Sequence, residues 1–177
     1  MAFRFPVRKE NDEVYYSEES FVLIGPEDLN ELKKLAASNP RQRARLCVHE
    51  NPNALMHEMF IVHGRDAYVR PHRHLNRQEG LMVLEGDADL LTFSEFGELE
   101  RVVKLNSKCF FKRLNNPVYH MLRIRSEFLV FYEATSGPFK NTDTQFAPWS
   151  PPETDFVLVE KFMSEVDTTA LQIGAQN

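Results

Sequence analysis

The sequence predicts an all-β jelly-roll barrel, or double-stranded β-helix, with a short N-terminal helix packed outside it. Nine short runs rich in valine, leucine, phenylalanine and tyrosine lie between residues 44 and 134, with turn residues between them. Short strands at such near-regular spacing are typical of sandwiches and barrels. The few glycines and the lack of a repeat of fixed period argue against a solenoid or a propeller.

The helix is predicted from Pro26 to about Ser38. Proline suits the first helical position, and the acidic residues that follow it suit the positive end of the helix dipole. Leucines recur at helical spacing along one face, and Asn39-Pro40 ends the pattern. We expect this helix to pack on the outer face of a sheet.

A chain of 177 residues fits one domain with a sizeable core. We expect that domain at residues 21–155. Residues 1–20 would be an N-terminal arm with a short edge strand, which could cover a partner's sheet. Residues 156–177 would be a C-terminal extension, with a short helix from Phe156 to Val166. Short strands leave sheet edges that need covering, so we expect a homodimer.

The composition argues against several classes of protein. Hydrophobic residues are 42% and charged residues 27% of the chain, as in ordinary globular proteins, and the net charge of -5 argues against non-specific nucleic-acid binding. No signal-peptide or membrane-spanning pattern is found, so we expect a cytoplasmic location without membrane insertion. Cys47 and Cys109 lie in separate apolar runs, which predicts two buried thiols in a reducing compartment.

One stretch carries three potential metal ligands, His72, His74 and Glu79. On an extended strand, side chains two residues apart point to the same face, so the two imidazoles project together. Glu79 begins the next apolar run, which ends at a turn at Gly86. His120, at the start of a later strand, supplies a fourth ligand. A single strand histidine is more often a hydrogen-bonded residue than a ligand, but the four residues together predict one divalent transition metal: Fe, Mn, Ni, Zn or Cu.

The spacing His-x-His, four residues, Glu, six residues, Gly resembles the first motif of the cupin family. His120 resembles the histidine of the second motif, although the glycine of the preceding turn is missing. More narrowly, the sequence resembles the WbuC-type cupin-fold metalloproteins over roughly residues 21–155. The segments that carry this resemblance are 43–49, 68–74, Glu79, Gly86, 93–97, His120, 137–139 and 146–151. Members of this family are typically encoded with surface-polysaccharide (O-antigen) biosynthesis genes, and their reaction is not established. The resemblance therefore implies a fold and a metal site more firmly than a chemistry.

Strand parity indicates further site residues. Tyr68 and Arg70 share a strand face with the two motif histidines, and Arg45 and His49 share a face of another strand. Arginine presents a donor fork that matches carboxylate or phosphate. If these faces line the barrel, Arg70 and Arg45 are candidate substrate-binding residues, and Tyr68 and His49 are candidate catalytic residues. A one-residue change of strand register would invert every assignment.

The predicted site is compatible with three classes of function. The first is a metal-dependent enzyme, of the isomerase, epimerase or dioxygenase type, that acts on a small anionic or sugar-derived molecule such as a nucleotide sugar. The second is a non-catalytic sugar-binding or regulatory protein. The third is a metal-free sugar epimerase with a histidine base and a tyrosine acid. The sequence contains no acyl-transfer triad, phosphate-binding glycine loop or dinucleotide fingerprint.

Overall fold

The structure is a computed structural model that describes residues 3–174. These residues form a seven-stranded sheet, a five-stranded sheet and two α-helices. The strands are β1 (Val7–Lys9), β2 (Val14–Ser17), β3 (Arg43–Cys47), β4 (Met56–Gly64), β5 (His72–His74), β6 (Glu79–Glu85), β7 (Ala88–Phe93), β8 (Leu99–Leu105), β9 (Phe111–Leu114), β10 (Tyr119–Ile124), β11 (Phe128–Ser136) and β12 (Thr144–Phe146), and the helices are α1 (Pro26–Ala37) and α2 (Phe156–Gly174).

The strands from β4 to β11 form a jelly roll. In the larger sheet they follow the order β4-β11-β6-β9, and in the smaller sheet β5-β10-β7-β8. Consecutive strands therefore alternate between the two sheets, except at the β7–β8 hairpin. This winding of two antiparallel sheets face to face is the jelly-roll topology, so the predicted fold class is confirmed.

The remaining strands extend the two sheets at their edges. β1, β2 and β3 continue the larger sheet beyond β4, with β2 parallel to β3, and β12 pairs with β5 at the edge of the smaller sheet. The N-terminal segment thus pairs with its own chain's sheet, where Val14 lies opposite Arg45. β12 was not predicted, because a three-residue strand in a polar segment shows no periodicity.

The two helices pack against different sheets. Leu32 and Ala36 of α1 are fully buried against the larger sheet, which agrees with the predicted position of this helix. Val166 and Ala170 of α2 pack on the apolar cluster of the smaller sheet. These two residues lie four apart on one helix face, so both can pack on the sheet. Because Ala170 is also buried there, α2 continues well beyond its predicted end at Val166. No helix in residues 3–174 is long and apolar enough to cross a membrane.

Two local predictions are wrong. The predicted strand does not cover residues 68–71, because Pro71 has no N–H to donate to a ladder, and β5 begins only at His72. Cys47 is buried as expected, but Cys109 is exposed. Cys109 lies in the turn before β9, where its backbone N–H donates to Oδ1 of Asn106, so the apolar run does not continue through it.

The space between the sheets holds both the apolar core and a cavity. Leu81, Leu122 and Phe131 belong to the core cluster that joins the two sheets. Beside them the interior opens into a cavity of about 770 Å³. Its lining includes all four residues predicted as metal ligands, which are His72, His74, Glu79 and His120.

Candidate metal centre

Three histidines converge on one point of the cavity wall. His72 and His74 lie two residues apart on β5, and His120 lies on β10 directly opposite His72 in the antiparallel ladder. The ring centroids of His72 and His120 are 4.6 Å apart. One ring nitrogen from each of the three histidines lies within 4.8 Å of the others. Strand alternation and cross-strand pairing therefore produce the cluster that the spacing predicts.

Hydrogen bonds fix the orientation of these rings. Nδ1 of His72 donates to the backbone oxygen of Arg70 at 2.8 Å, and Nδ1 of His120 donates to that of Val118 at 2.9 Å. A carbonyl oxygen only accepts, so in both rings Nδ1 carries the proton and Nε2 keeps its lone pair in the neutral form. Nδ1 of His74 lies 3.2 Å from Oγ1 of Thr144. Metal-binding histidines are commonly oriented by partners of this kind.

Burial keeps two of the rings uncharged. Burial lowers the pKa of His72 to about 4, a net shift that the hydrogen bond to Arg70 opposes and the neighbouring His74 supports. Burial and the nearby Lys112 hold the pKa of His120 well below its ordinary value. Both imidazoles are therefore neutral at physiological pH, which is the form that binds a metal ion.

Glu79 lies between the histidines and a buried cation. Its Oε2 is 2.8 Å from Nε2 of His74, and its Oε1 is 4.0 Å from Nε2 of His120. Nζ of Lys112 donates to Oε1. Burial alone would raise the pKa of Glu79, but the charge of Lys112 and the contact with His74 hold that pKa well below its usual range. The carboxylate is therefore ionised.

These residues fit a divalent transition metal. Three imidazoles and one carboxylate form a mixed nitrogen and oxygen donor set of the kind that iron, manganese, nickel, zinc and copper accept. Nε2 of His74 is buried and has no hydrogen-bond partner of acceptable geometry, despite its short distance to Glu79. A buried polar atom without a partner is costly, and a metal ion would satisfy it.

Two ionisable residues that were not predicted from the sequence, Lys112 and Glu133, also belong to the site. Leu81, two residues after Glu79, pairs with Glu133 on β11 and with Lys112 on β9, so Glu79 is a diagonal neighbour of both. Burial, and then the charge of Glu79, raise the pKa of Glu133 to about 8, so this carboxyl is protonated at neutral pH. The sequence did contain a signal for Glu133. It is a single ionisable residue at an inward-facing position of an apolar strand, on the same face as Leu129 and Phe131.

Both predicted substrate-binding arginines line the cavity. The guanidinium of Arg70 donates to Oγ and to the backbone oxygen of Ser150, each at 3.0 Å, and lies 5.0 Å from the ring centroid of Phe146. The guanidinium of Arg45 makes no hydrogen bond or close ion pair within residues 3–174. Among the described residues, Arg45 therefore keeps all of its guanidinium donors free for a ligand.

The two candidate catalytic residues do not line the cavity. The Tyr68 hydroxyl donates to the backbone oxygen of Pro151 at 3.1 Å, and its ring packs against Phe162 of α2. The His49 ring stacks on that of His57 with centroids 4.2 Å apart, and its Nδ1 lies 3.1 Å from the backbone N–H of Glu58. The shared strand face predicted for Tyr68 and the motif histidines does not exist, because the strand begins after Pro71.

Residues 24–105 match the model of a domain of unknown function (DUF6016), and no curated protein matches the sequence. A cupin 2 conserved barrel domain protein from Rhodopseudomonas palustris shares 16% identity over 71% of this chain and 77% of its own, with a TM-score of 0.48. A Klebsiella pneumoniae protein with a double-stranded β-helix domain shares 15% over 59% and 79%, with a TM-score of 0.47. Oxalate decarboxylase from Lactobacillus farciminis shares 14% over 52% and 26%, with a TM-score of 0.43.

The chain spans 24% to 26% of the length of the larger proteins that it matches, such as this decarboxylase. At these identities and TM-scores, the similarity carries no argument about chemistry. The proposals below therefore rest on the site itself.

Proposed function

We propose that the chain is a metal-dependent enzyme that holds one divalent transition metal through His72, His74, His120 and Glu79. The observation that supports this proposal is the convergence of three imidazoles, each with Nδ1 engaged outside the cluster, beside an ionised carboxylate. The identity of the metal stays open among iron, manganese, nickel, zinc and copper.

When bound, the metal would polarise a substrate oxygen and stabilise negative charge that develops on it. The protein residues perform the other tasks. The carbonyls of Arg70 and Val118 hold two rings in the tautomer that offers Nε2 to the cavity. Glu133, protonated at neutral pH, is a carboxylic acid on the cavity wall that can donate a proton to a bound ligand.

The substrate class that we propose is a small anion. Arg45 and Arg70 line the cavity, and Arg45 has its donors free within the described residues. Arginine donors pair with carboxylate and phosphate oxygens. The resemblance to WbuC-type proteins adds a finer proposal, in which the anion is sugar-derived, for example a nucleotide sugar, and the reaction belongs to surface-polysaccharide biosynthesis. We also propose that the protein acts as a homodimer.

The test is metal content by elemental analysis of the purified protein. We expect about one metal ion per chain, and strongly reduced content in His72→Ala, His74→Ala and His120→Ala, because each substitution removes one imidazole ligand. His63→Gln is the matched control, since His63 also lines the cavity but lies outside the cluster. Equal metal content in wild type and the three variants would contradict the proposal.

One observation favours a metal-free site as the second candidate. Lys112 already neutralises Glu79, so this carboxylate needs no metal ion to balance its charge. A metal-free sugar epimerase would then depend on cavity groups such as Glu133 rather than on Tyr68 and His49, which do not line the cavity. Full activity after exhaustive chelation would favour this candidate over the metal enzyme.

A further inference from the structure

Lys112 is an unusual residue for its position. It is the one buried residue of β9, while its neighbours Phe111 and Arg113 are exposed on the opposite face. β9 is the edge strand of the larger sheet, and strand alternation directs Lys112 into the cavity. Burying an ammonium group is costly unless other groups compensate its charge.

The protein satisfies only part of the hydrogen-bonding capacity of the Lys112 ammonium group. The ammonium group of a lysine carries three N–H donors, and Oε1 of Glu79 accepts one of them. No other residue in the described part of the chain accepts a hydrogen bond from Nζ of Lys112. Two donors therefore remain available, in a side chain that lines the cavity beside the histidine cluster.

The net charge of the site also favours an anionic ligand. With a divalent metal bound, the three histidines stay neutral and the charges of Glu79 and Lys112 cancel. The metal-loaded site would then keep both positive charges of the ion, and the unpaired guanidinium of Arg45 adds a third. In a partly enclosed cavity these charges are weakly screened, so the site would bind an anion that neutralises them.

We propose that Lys112 is a substrate-binding residue, which pairs with an anionic oxygen of a small dianion held at the metal. This inference rests on the metal site proposed above. A dianion neutralises more of this positive charge than a monocarboxylate does. Lys112 would contact the ligand with the donors that Glu79 does not use, so its role goes beyond the orientation of Glu79.

The test uses the full chain loaded with Co²⁺, with oxalate as the probe and acetate as the monoanionic comparison. Oxalate affinity is measured from the change in the visible Co²⁺ absorption and by titration calorimetry. We expect wild type to bind oxalate more tightly than acetate. We expect Lys112→Met to keep its Co²⁺ and to bind oxalate roughly tenfold to a hundredfold more weakly, because a charge-assisted hydrogen bond is lost.

Two further variants keep the test decisive. Lys108→Met removes an exposed lysine from the turn before β9 and should leave oxalate affinity unchanged. In case Lys112→Met fails to fold because Glu79 loses its partner, Lys112→Gln is measured in the same way, since it removes the charge but keeps an N–H donor for Oε1 of Glu79. A loss of oxalate affinity in this variant with Co²⁺ retained supports direct contact with the ligand, and unchanged affinity overturns it.

The outcomes separate the two proposals. If wild type binds no Co²⁺, the metal site itself is wrong. If Co²⁺ binds normally and Lys112→Met has the oxalate affinity of wild type, the metal site stands and the role of Lys112 is overturned.

Discussion

Lys112 and Glu79 form a buried ion pair between β9 and β6, and the same carboxylate reaches His74 through its other oxygen. The two side chains are diagonal neighbours in the ladder, because Leu81 pairs with Lys112 and Glu79 precedes Leu81 by two residues. The pair therefore fixes one oxygen of Glu79 and leaves the other beside the histidine cluster. This links the stability of the barrel to the geometry of the site.

Removing the lysine should destabilise the metal-free protein. Lys112→Met leaves the Glu79 carboxylate buried without its cation, and loss of one partner from a buried pair costs about 3 kcal/mol or more in the free energy of unfolding. Urea denaturation after chelation measures this loss. Lys108→Met is the control for loss of a positive charge, and Glu79→Gln/Lys112→Met should lose less than the two single variants combined. An unchanged urea midpoint for Lys112→Met would contradict a buried ion pair.

Thr144 should affect metal binding without touching the metal. Its Oγ1 lies 3.2 Å from Nδ1 of His74, and β12 and β5 pair at these two residues. Thr144→Val keeps the shape of the side chain but removes this partner, so we expect metal affinity to fall by roughly tenfold to a hundredfold. Competition with a chelator of known affinity measures the change. Thr168→Val, at an exposed position of α2, should retain wild-type affinity, and equal affinity in Thr144→Val would show that the contact does not orient His74.

The sequence predicted the barrel because its strands carry local signals. β7 (Ala88–Phe93) and β8 (Leu99–Leu105) each coincide with one of the short apolar runs, since turn residues bound each run. His72 and His74 likewise share a face because of alternation within β5, and a single cross-strand pair places His120 beside them. Local patterns of this kind are sufficient to predict which residues share a face.

The missed features depend on long-range pairing. Lys112 and Glu133 join the site through the order of β9, β6 and β11 in the larger sheet, which no local pattern specifies. The error at Tyr68 has a local cause, because Pro71 delays the start of β5 and breaks the predicted face. Site residues that belong to a metal-binding motif were thus predictable, whereas Lys112 and Glu133, which belong to none, required the sheet order.

The turn at Gly86 should tolerate no side chain. Its φ is +86°, and a Cβ at this position would lie 2.2 Å from the backbone oxygen of Phe128. Gly86→Ala therefore adds both backbone strain and a clash, and we expect a loss of about 1 to 3 kcal/mol or more in the free energy of unfolding. Gly80→Ala is the matched control, since its Cβ would meet only the Phe111 ring at 3.5 Å. Thermal unfolding of both variants measures the difference, and equal stabilities would contradict the strained turn.

His63 should make the protein less stable in acid. Its side chain is buried on β4 against Phe131, and Nδ1 has no hydrogen-bond partner in the described part of the chain. Burial, together with the charges of Arg45 and Arg41, lowers the pKa of His63 to about 3, whereas an unfolded histidine titrates near 6.5. Between these two values the unfolded chain binds a proton that the folded protein excludes. The stabilising contribution is therefore complete above pH 6.5 and is lost as the pH falls toward 3, by about 1.4 kcal/mol per pH unit.

The comparison of wild type with His63→Leu isolates this contribution from those of the other buried groups. The substitution removes the titrating ring, so its free energy of unfolding should fall less steeply between pH 7 and pH 5 than that of wild type. Over this range the difference between the two proteins should change by roughly 2 kcal/mol in favour of the variant. Met59→Leu, a non-titrating substitution on the same strand, should give a curve parallel to wild type. If the His63→Leu curve is also parallel to that of wild type, His63 does not titrate with a lowered pKa in the folded protein.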